Sequence, residues 1–204
     1  EIGFADVILV DSNREMRNAS TTGAISLVNG QGLAIKFRVE EGALPTNGSF
    51  FSGVRTNVPM AELSAWEVCM TETYDQSGTS ITGLEAACDK ANLMLACRLT
   101  DSTTLLVAAH APREDVLTDT GMSNTPHDAN GVGWYFSRGW SWGFARQGDP
   151  INRNSCDLET ANPAERLCWH TQGGGDVLSA GWRCGVNMWL NGSTAYERLI
   201  LHAD

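Results

Sequence analysis

Six cysteines, at positions 69, 88, 97, 156, 168 and 184, constrain this chain more than any other feature. None stands at the C-x-x-C spacing of a zinc site or a thioredoxin-like centre, and their number is even. Three disulfides formed in an oxidising compartment are the simplest account; six reduced, buried thiols are the alternative. Cys156 and Cys168 flank a short turn-rich segment and are predicted to pair, a closure worth about 3 kcal/mol in the chain-entropy model. Cys88 with Cys97 is the next expectation, which leaves Cys69 with Cys184 as a long-range tie.

Three of these cysteines share the C-terminal third with most of the aromatic residues. Six of the seven tryptophans fall between positions 134 and 204, and Asn130–Phe144 reads NGVGWYFSRGWSWGF. Tryptophan carries a large apolar surface and an N–H that needs an acceptor when buried. The stretch reads either as a packed, cross-linked core or as an aromatic platform for a ligand. The core ranks first, because tryptophan is mostly buried on average.

The local pattern is that of an antiparallel β protein. Phe4–Val10 is a predicted strand. Leu33, Ile35, Phe37 and Val39 alternate with Ala34, Lys36, Arg38 and Glu40 behind an Asn29-Gly30 turn, as in a half-buried hairpin strand. Ser49–Arg55 and Ser64–Thr73 are further strands. In the second, Trp66, Val68 and Met70 form one face and Cys69 points to the other. Leu93–Leu99 and Leu105–His110 form a hairpin, and Tyr196–His202 closes the chain. Helical signals are confined to Thr82-Gly83-Leu84-Glu85, a capping box opening a helix to about Ala91, and to Asn162-Pro163-Ala164-Glu165, one turn capped by Asn162. The expected fold is mainly β: an antiparallel β-sandwich or jelly-roll-like domain, disulfide-bonded, with one or two short helices. A single domain over 1–204 is expected. The division that composition permits lies near 71–78, between an N-terminal sandwich-like unit and a C-terminal Cys/Trp-rich unit.

Charge narrows the partners. The formal net charge is −10, and Lys36 and Lys90 are the only lysines. Phosphate backbones call for clustered cations, so nucleic acid is not an expected partner. No apolar run reaches the length of a membrane span. Residue 1 is Glu, as in a processed secreted chain or an excised domain. Sequons stand at Asn18, Asn47 and Asn191.

Several motifs carry candidate chemistry. Gly139-Trp140-Ser141-Trp142-Gly143 fits the G-x-S-x-G pattern of serine hydrolases, with Asp149, Asp157 or Asp176 and His170 or His202 available downstream. That pattern needs a strand-to-helix turn, whereas the residues after it read as neither helix nor cap. Trp140 and Trp142 are expected on one face of a strand, and Ser141 on the other. Asp128 and Asn130, with Asp119 upstream, resemble part of an oxygen-ligand loop for calcium, the one cofactor these residues suggest; a solvated acidic loop is the competing reading. Trp134, Trp140 and Trp142, with Arg138, Arg146 and Asp149, hold the residue types that bind carbohydrate: aromatic faces for sugar C–H surfaces and polar groups for hydroxyls. So does the tail, Trp189-Leu190-Asn191-Gly192. Following Trp182-Arg183-Cys184, that tail resembles the end of fibrinogen-like lectin domains over about ten residues, a likeness that carries no residue roles.

These features converge on a secreted, non-catalytic extracellular module. It binds carbohydrate or an extracellular protein surface, or it self-associates as a structural subunit of a filament or matrix whose strand edges pair between copies. A small serine hydrolase using Ser141 is the reading from a different class.

Overall fold

The computed structural model describes residues 7–10, 16–19, 34–36, 50–172 and 174–204. The chain forms two compact units, Glu1–Pro45 and Thr46–Asp204. In the first, β1 (Val7–Val10) is the centre of a three-stranded antiparallel sheet between β2 (Met16–Ala19) and β3 (Ala34–Lys36). The predicted first strand is thus present at its C-terminal end. Of the alternating run Leu33–Glu40 only β3 is described. The Asn29-Gly30 turn and Asn47 lie outside the described residues.

The second unit is a disulfide-bonded antiparallel β-sandwich. One sheet contains β4 (Arg55–Pro59), β5 (Glu67–Thr73), β7 (Asn92–Leu99), β8 (Thr104–Pro112) and β16 (Tyr196–Ala203), in the order β4-β8-β7-β16-β5. The other contains β6 (Thr79–Ser80), β9 (His127–Ala129), β10 (Val132–Phe136), β11 (Ser141–Arg146), β14 (Leu167–Thr171) and β15 (Val177–Cys184), in the order β6-β15-β14-β11-β10-β9. A small ladder pairs β12 (Arg153–Asn154) with β13 (Cys156–Asp157). Two short helices, α1 (Ile81–Ala87) and α2 (Arg113–Val116), complete it.

Burial explains the sequence pattern. The run Leu93–Cys97 is apolar without alternation because β7 is covered on both sides, as central strands are. Leu93, Leu95 and Cys97 face the space between the sheets, while Met94 and Ala96 join Phe51, Leu63, Trp66, Leu105, Leu199 and Leu201 in a second layer. Between the sheets, the six-stranded sheet presents a cross-strand ladder of rings: Trp134 opposite Phe144, Phe136 opposite Trp142, and Trp142 opposite Trp169. Their centroids lie 5.4, 5.1 and 6.0 Å apart, within the range of favourable aromatic pairs. Each buried indole removes about 150–250 Å² from water, an upper bound of ~4–6 kcal/mol at ~25 cal/mol/Å². Gly181 is required here, because a Cβ would overlap the ring of Tyr74. Tyr74 in turn donates to the carbonyl of Arg183 (3.0 Å) and accepts from Trp169 Nε1 (3.3 Å).

All six cysteines are paired: Cys156 with Cys168 as expected, but Cys69 with Cys88 and Cys97 with Cys184. The expected Cys88–Cys97 pair is excluded by strand geometry. Cys97 lies five residues into β7, roughly 16 Å beyond its start at a rise of ~3.3 Å per residue, whereas Cys88 closes α1 at the other end. Cys97 instead faces across the sandwich and meets Cys184. Cys69 turns toward α1 because it is the extra residue of a β-bulge: Met70 pairs with Ile200 and Val68 with Leu201. The bulge also breaks the expected Trp66, Val68, Met70 face. Met70 packs between the sheets and Trp66 in the second layer.

Other boundaries shift for local reasons. Residues 50–54 form no strand; the Phe51 amide donates to His110 Nε2 (2.8 Å), and pairing with β8 begins at Arg55. Helix α1 starts before the predicted box. Ser80 Oγ accepts from the Gly83 amide (3.1 Å), Asp176 accepts from the Thr82 amide (3.0 Å), and Glu85 is held by Arg138 rather than closing a box. Asn162 sits in the left-handed region before a 3-10 turn at Pro163–Glu165 and makes no cap; its amide donates to Asp149. Thr71–Gly78 is interior to the second unit, where β5 pairs with β16 and Tyr74 lies against Gly181.

Candidate functional site

The residues predicted as an aromatic platform do not form one. Trp134 and Trp142 are each 1% exposed, within the core. Trp140 precedes β11 and is half-buried; the guanidinium of Arg153 lies 4.7 Å from its ring centroid. That ring is therefore on the Ser141 side, not the Trp142 side as alternation implied. Arg138 pairs with Glu85 and Asp176 beside the start of α1. Arg146, at the far end of β11, pairs with Asp149 (3.1 Å). The two arginines bracket the six-residue strand β11, about 20 Å of chain.

The calcium candidates also stay apart. Asp119 bridges Phe136, while Asp128 pairs with Gly133 three residues earlier on β10, roughly 10 Å away. Asn130 spends its amide donor on the carbonyls of Phe51 (2.8 Å) and His110 (2.9 Å). Among the described residues no three His, Cys, Asp or Glu side chains are grouped to hold a metal ion.

Ser141 opens a strand, is fully buried, and is followed by no helix. Its hydroxyl accepts from Arg153 Nε (3.0 Å). His170 is its cross-strand neighbour, yet no hydrogen bond joins the two among the described residues. The three aspartates that could orient a histidine are committed elsewhere. Asp157 binds Arg166 (2.6 Å) in a fully buried pair, Asp149 binds Arg146 and Asn162, and Asp176 caps α1. His202 lies in the other sheet, between Glu67 and Asp89. The geometry is not that of a nucleophile elbow.

The described surface carries an aromatic corner at the end of β14 and β15, where the most exposed tryptophan lies. Here β15 has two more residues than β14 needs: Cys168 pairs with Arg183, Trp169 with Gly181 and Thr171 with Leu178. Trp182 is the extra residue of the first bulge. It turns to the outer face of the sheet, where it packs with Tyr135, Ile151 and the Cys156–Cys168 disulfide. The chain then reverses at Gly185, and the amide of Leu190 donates back to the carbonyl of Trp182 (3.1 Å). Trp189 is thereby set against Trp182, centroids 4.2 Å apart and planes at 70°, with His170 on Trp182 at 5.5 Å. The Cys97–Cys184 bond anchors the corner to the opposite sheet.

Two local costs coincide at this corner. Trp189 is 73% exposed and adopts φ 66°, a left-handed conformation costing about 1–2 kcal/mol for a side-chain-bearing residue. Trp182 is 8% exposed, and its indole N–H is buried without an acceptor among the described residues, a cost of about 1–3 kcal/mol. Such violations collect at functional sites more than elsewhere. Burial lowers the pKa of His170 from its ordinary value, so the ring is neutral at neutral pH. Residues 185–196 contain no charged side chain, and Asn191 is exposed beside the corner.

No family model, curated protein or solved structure matches the chain. The resemblance of the tail to fibrinogen-like domains therefore does not extend to a family match. The sequence signal for the corner was present in that tail: an uncharged turn carrying Trp189 between Asn187 and Asn191.

Proposed function

We propose that the chain is a secreted, non-catalytic module that binds carbohydrate through the Trp182–Trp189–His170 corner. The observation that carries this reading is Trp189, a largely exposed indole held on a strained backbone against a second indole. An exposed aromatic face stacks on the C–H surface of a sugar, and tryptophan is among the residues that most often dominate binding energy. Three disulfides in one unit support an oxidising, extracellular location. No helix among the described residues is long and apolar enough to cross a membrane.

Assembly through paired strand edges has less support. The edge strand β5 is bulged at Cys69 and carries Glu67 and Glu72, β4 ends in Pro59, and β6 and β9 span two and three residues. Each of these features discourages edge pairing. A glycan array with the intact protein, repeated with Trp189→Ala, tests the proposal together with light scattering. Saturable binding by a monomer that is lost in the variant supports it. Large assemblies with no glycan bound would favour the structural-subunit reading instead.

A further inference from the structure

Resting on that reading, we infer that the corner takes a single uncharged pyranose unit, at a chain end or branch, and not an extended polysaccharide surface or an acidic glycan. Ring geometry sets the number of units. A flat, extended chain is gripped by aromatic faces lying in one plane, but Trp182 and Trp189 meet at 70°. Trp182 is 8% exposed, so one free indole face remains, that of Trp189. No other tryptophan can extend it into a platform. Trp134, Trp142 and Trp169 are core residues, Trp66 is buried in the layer on the far side of the other sheet, and Trp140 is taken up by Arg153.

Charge sets the kind of unit. From 185 to 196 the chain carries no charge, although the protein as a whole has a net charge of −10. Among the described residues, the titratable ring nearest neutral pH at this corner is His170, 5.5 Å from Trp182, and burial lowers its pKa, which favours the neutral form. Arg183, next to Trp182, is fully buried and donates to the carbonyls of Gly185 (2.9 Å) and Glu159 (2.6 Å). A carboxylate-bearing sugar would find no cation on segment 185–196 and none free in Arg183, and the overall negative charge would oppose its approach. A neutral sugar loses nothing on that account: its hydroxyls meet amide and hydroxyl groups of Asn191 and its neighbours, and its apolar face meets Trp189.

Titration calorimetry with the intact, oxidised protein separates this inference from its parent. The probes are the methyl glycosides of glucose, galactose and mannose, the corresponding uronates, and cello- and chito-oligosaccharides of two to six units. The expected result is binding of at least one neutral glycoside, with affinity changing less than about threefold with chain length and less than about twofold between low and high salt. Trp189→Gly should weaken it by at least about tenfold. Affinity that climbs more than about tenfold with chain length would overturn the single-unit geometry, because it requires further subsites. Preference for a uronate, weakened by salt, would overturn the assignment to neutral sugar. Both outcomes leave carbohydrate binding standing. Absence of binding to every probe and to the glycan array would remove the parent reading itself.

Discussion

Replacing Trp189 by glycine should nearly spare the fold while removing the proposed binding surface. Its side chain is 73% exposed, so about a quarter is covered. A quarter of roughly 250 Å² is about 60 Å², worth ~1.5 kcal/mol at ~25 cal/mol/Å². Loss of the edge-to-face contact with Trp182 adds about 1 kcal/mol. Against this, glycine adopts φ 66° freely and recovers about 1–2 kcal/mol of backbone strain. Its greater freedom in the unfolded chain returns about 0.4–1 kcal/mol of that gain. The expected net loss is about 1–2 kcal/mol. Alanine keeps the strain, so Trp189→Ala should be less stable than Trp189→Gly by about 1 kcal/mol, the reverse of the order in ordinary backbone. Urea denaturation of the oxidised protein, followed by far-UV circular dichroism, gives both differences. A loss above about 3 kcal/mol in the glycine variant would mean that the ring is part of the core. An alanine variant as stable as the glycine variant would refute the left-handed conformation on which the strain rests.

Three further outcomes follow from the buried groups. Trp142→Ala, in the ring ladder, should cost about 3–5 kcal/mol in the same urea titration, and a loss under about 1 kcal/mol would place that ring outside the core. Ser141→Ala leaves the buried Arg153 Nε without its acceptor and should cost about 1–3 kcal/mol; covalent labelling of Ser141 by a fluorophosphonate would instead revive it as a nucleophile. His110, buried and accepting from Phe51, has its pKa lowered by desolvation to about 4. The unfolded chain binds the proton first, so this stabilisation is complete above about pH 6.5 and is lost as pH falls toward 4, amounting to ~3 kcal/mol. His110→Gln should flatten that part of the stability–pH curve, and an unchanged slope would show that His110 is not its source.

Much of the sandwich was legible because its signals are local. The hairpin of β7 and β8 follows from two apolar runs around Asp101-Ser102-Thr103, and Tyr196–His202 declared itself as a strand by composition. Cys156–Cys168 was legible because closing a short loop needs no knowledge of the fold. The other two disulfides depend on which strand faces which across the sandwich. Cys97 and Cys184 are 87 residues apart and meet only because β7 and β15 belong to opposing sheets. The start of α1 is hidden from the sequence for the same reason: Asp176, from the segment leading into β15, supplies an acceptor that no local pattern around Thr82 reveals.

In the aromatic stretch Trp134 and Trp142 are core rather than ligand surface, a distinction outside the reach of strand alternation, which says which residues share a face but not which face meets solvent. Nor does alternation survive a bulge. At Cys69 and again at Trp182 one extra residue redirects a side chain: the cysteine toward α1, the tryptophan out of the sandwich. Neither bulge leaves a mark in composition or periodicity. The second has the larger consequence. Without it Trp182 would take the place of Gly181 beneath Tyr74, where there is no room even for a methyl group. Close contact between Tyr74 and Gly181 in the core thus forces the neighbouring indole outward, where it supports Trp189. The candidate site is in this sense a product of core packing, and a substitution at Gly181 should disturb both together.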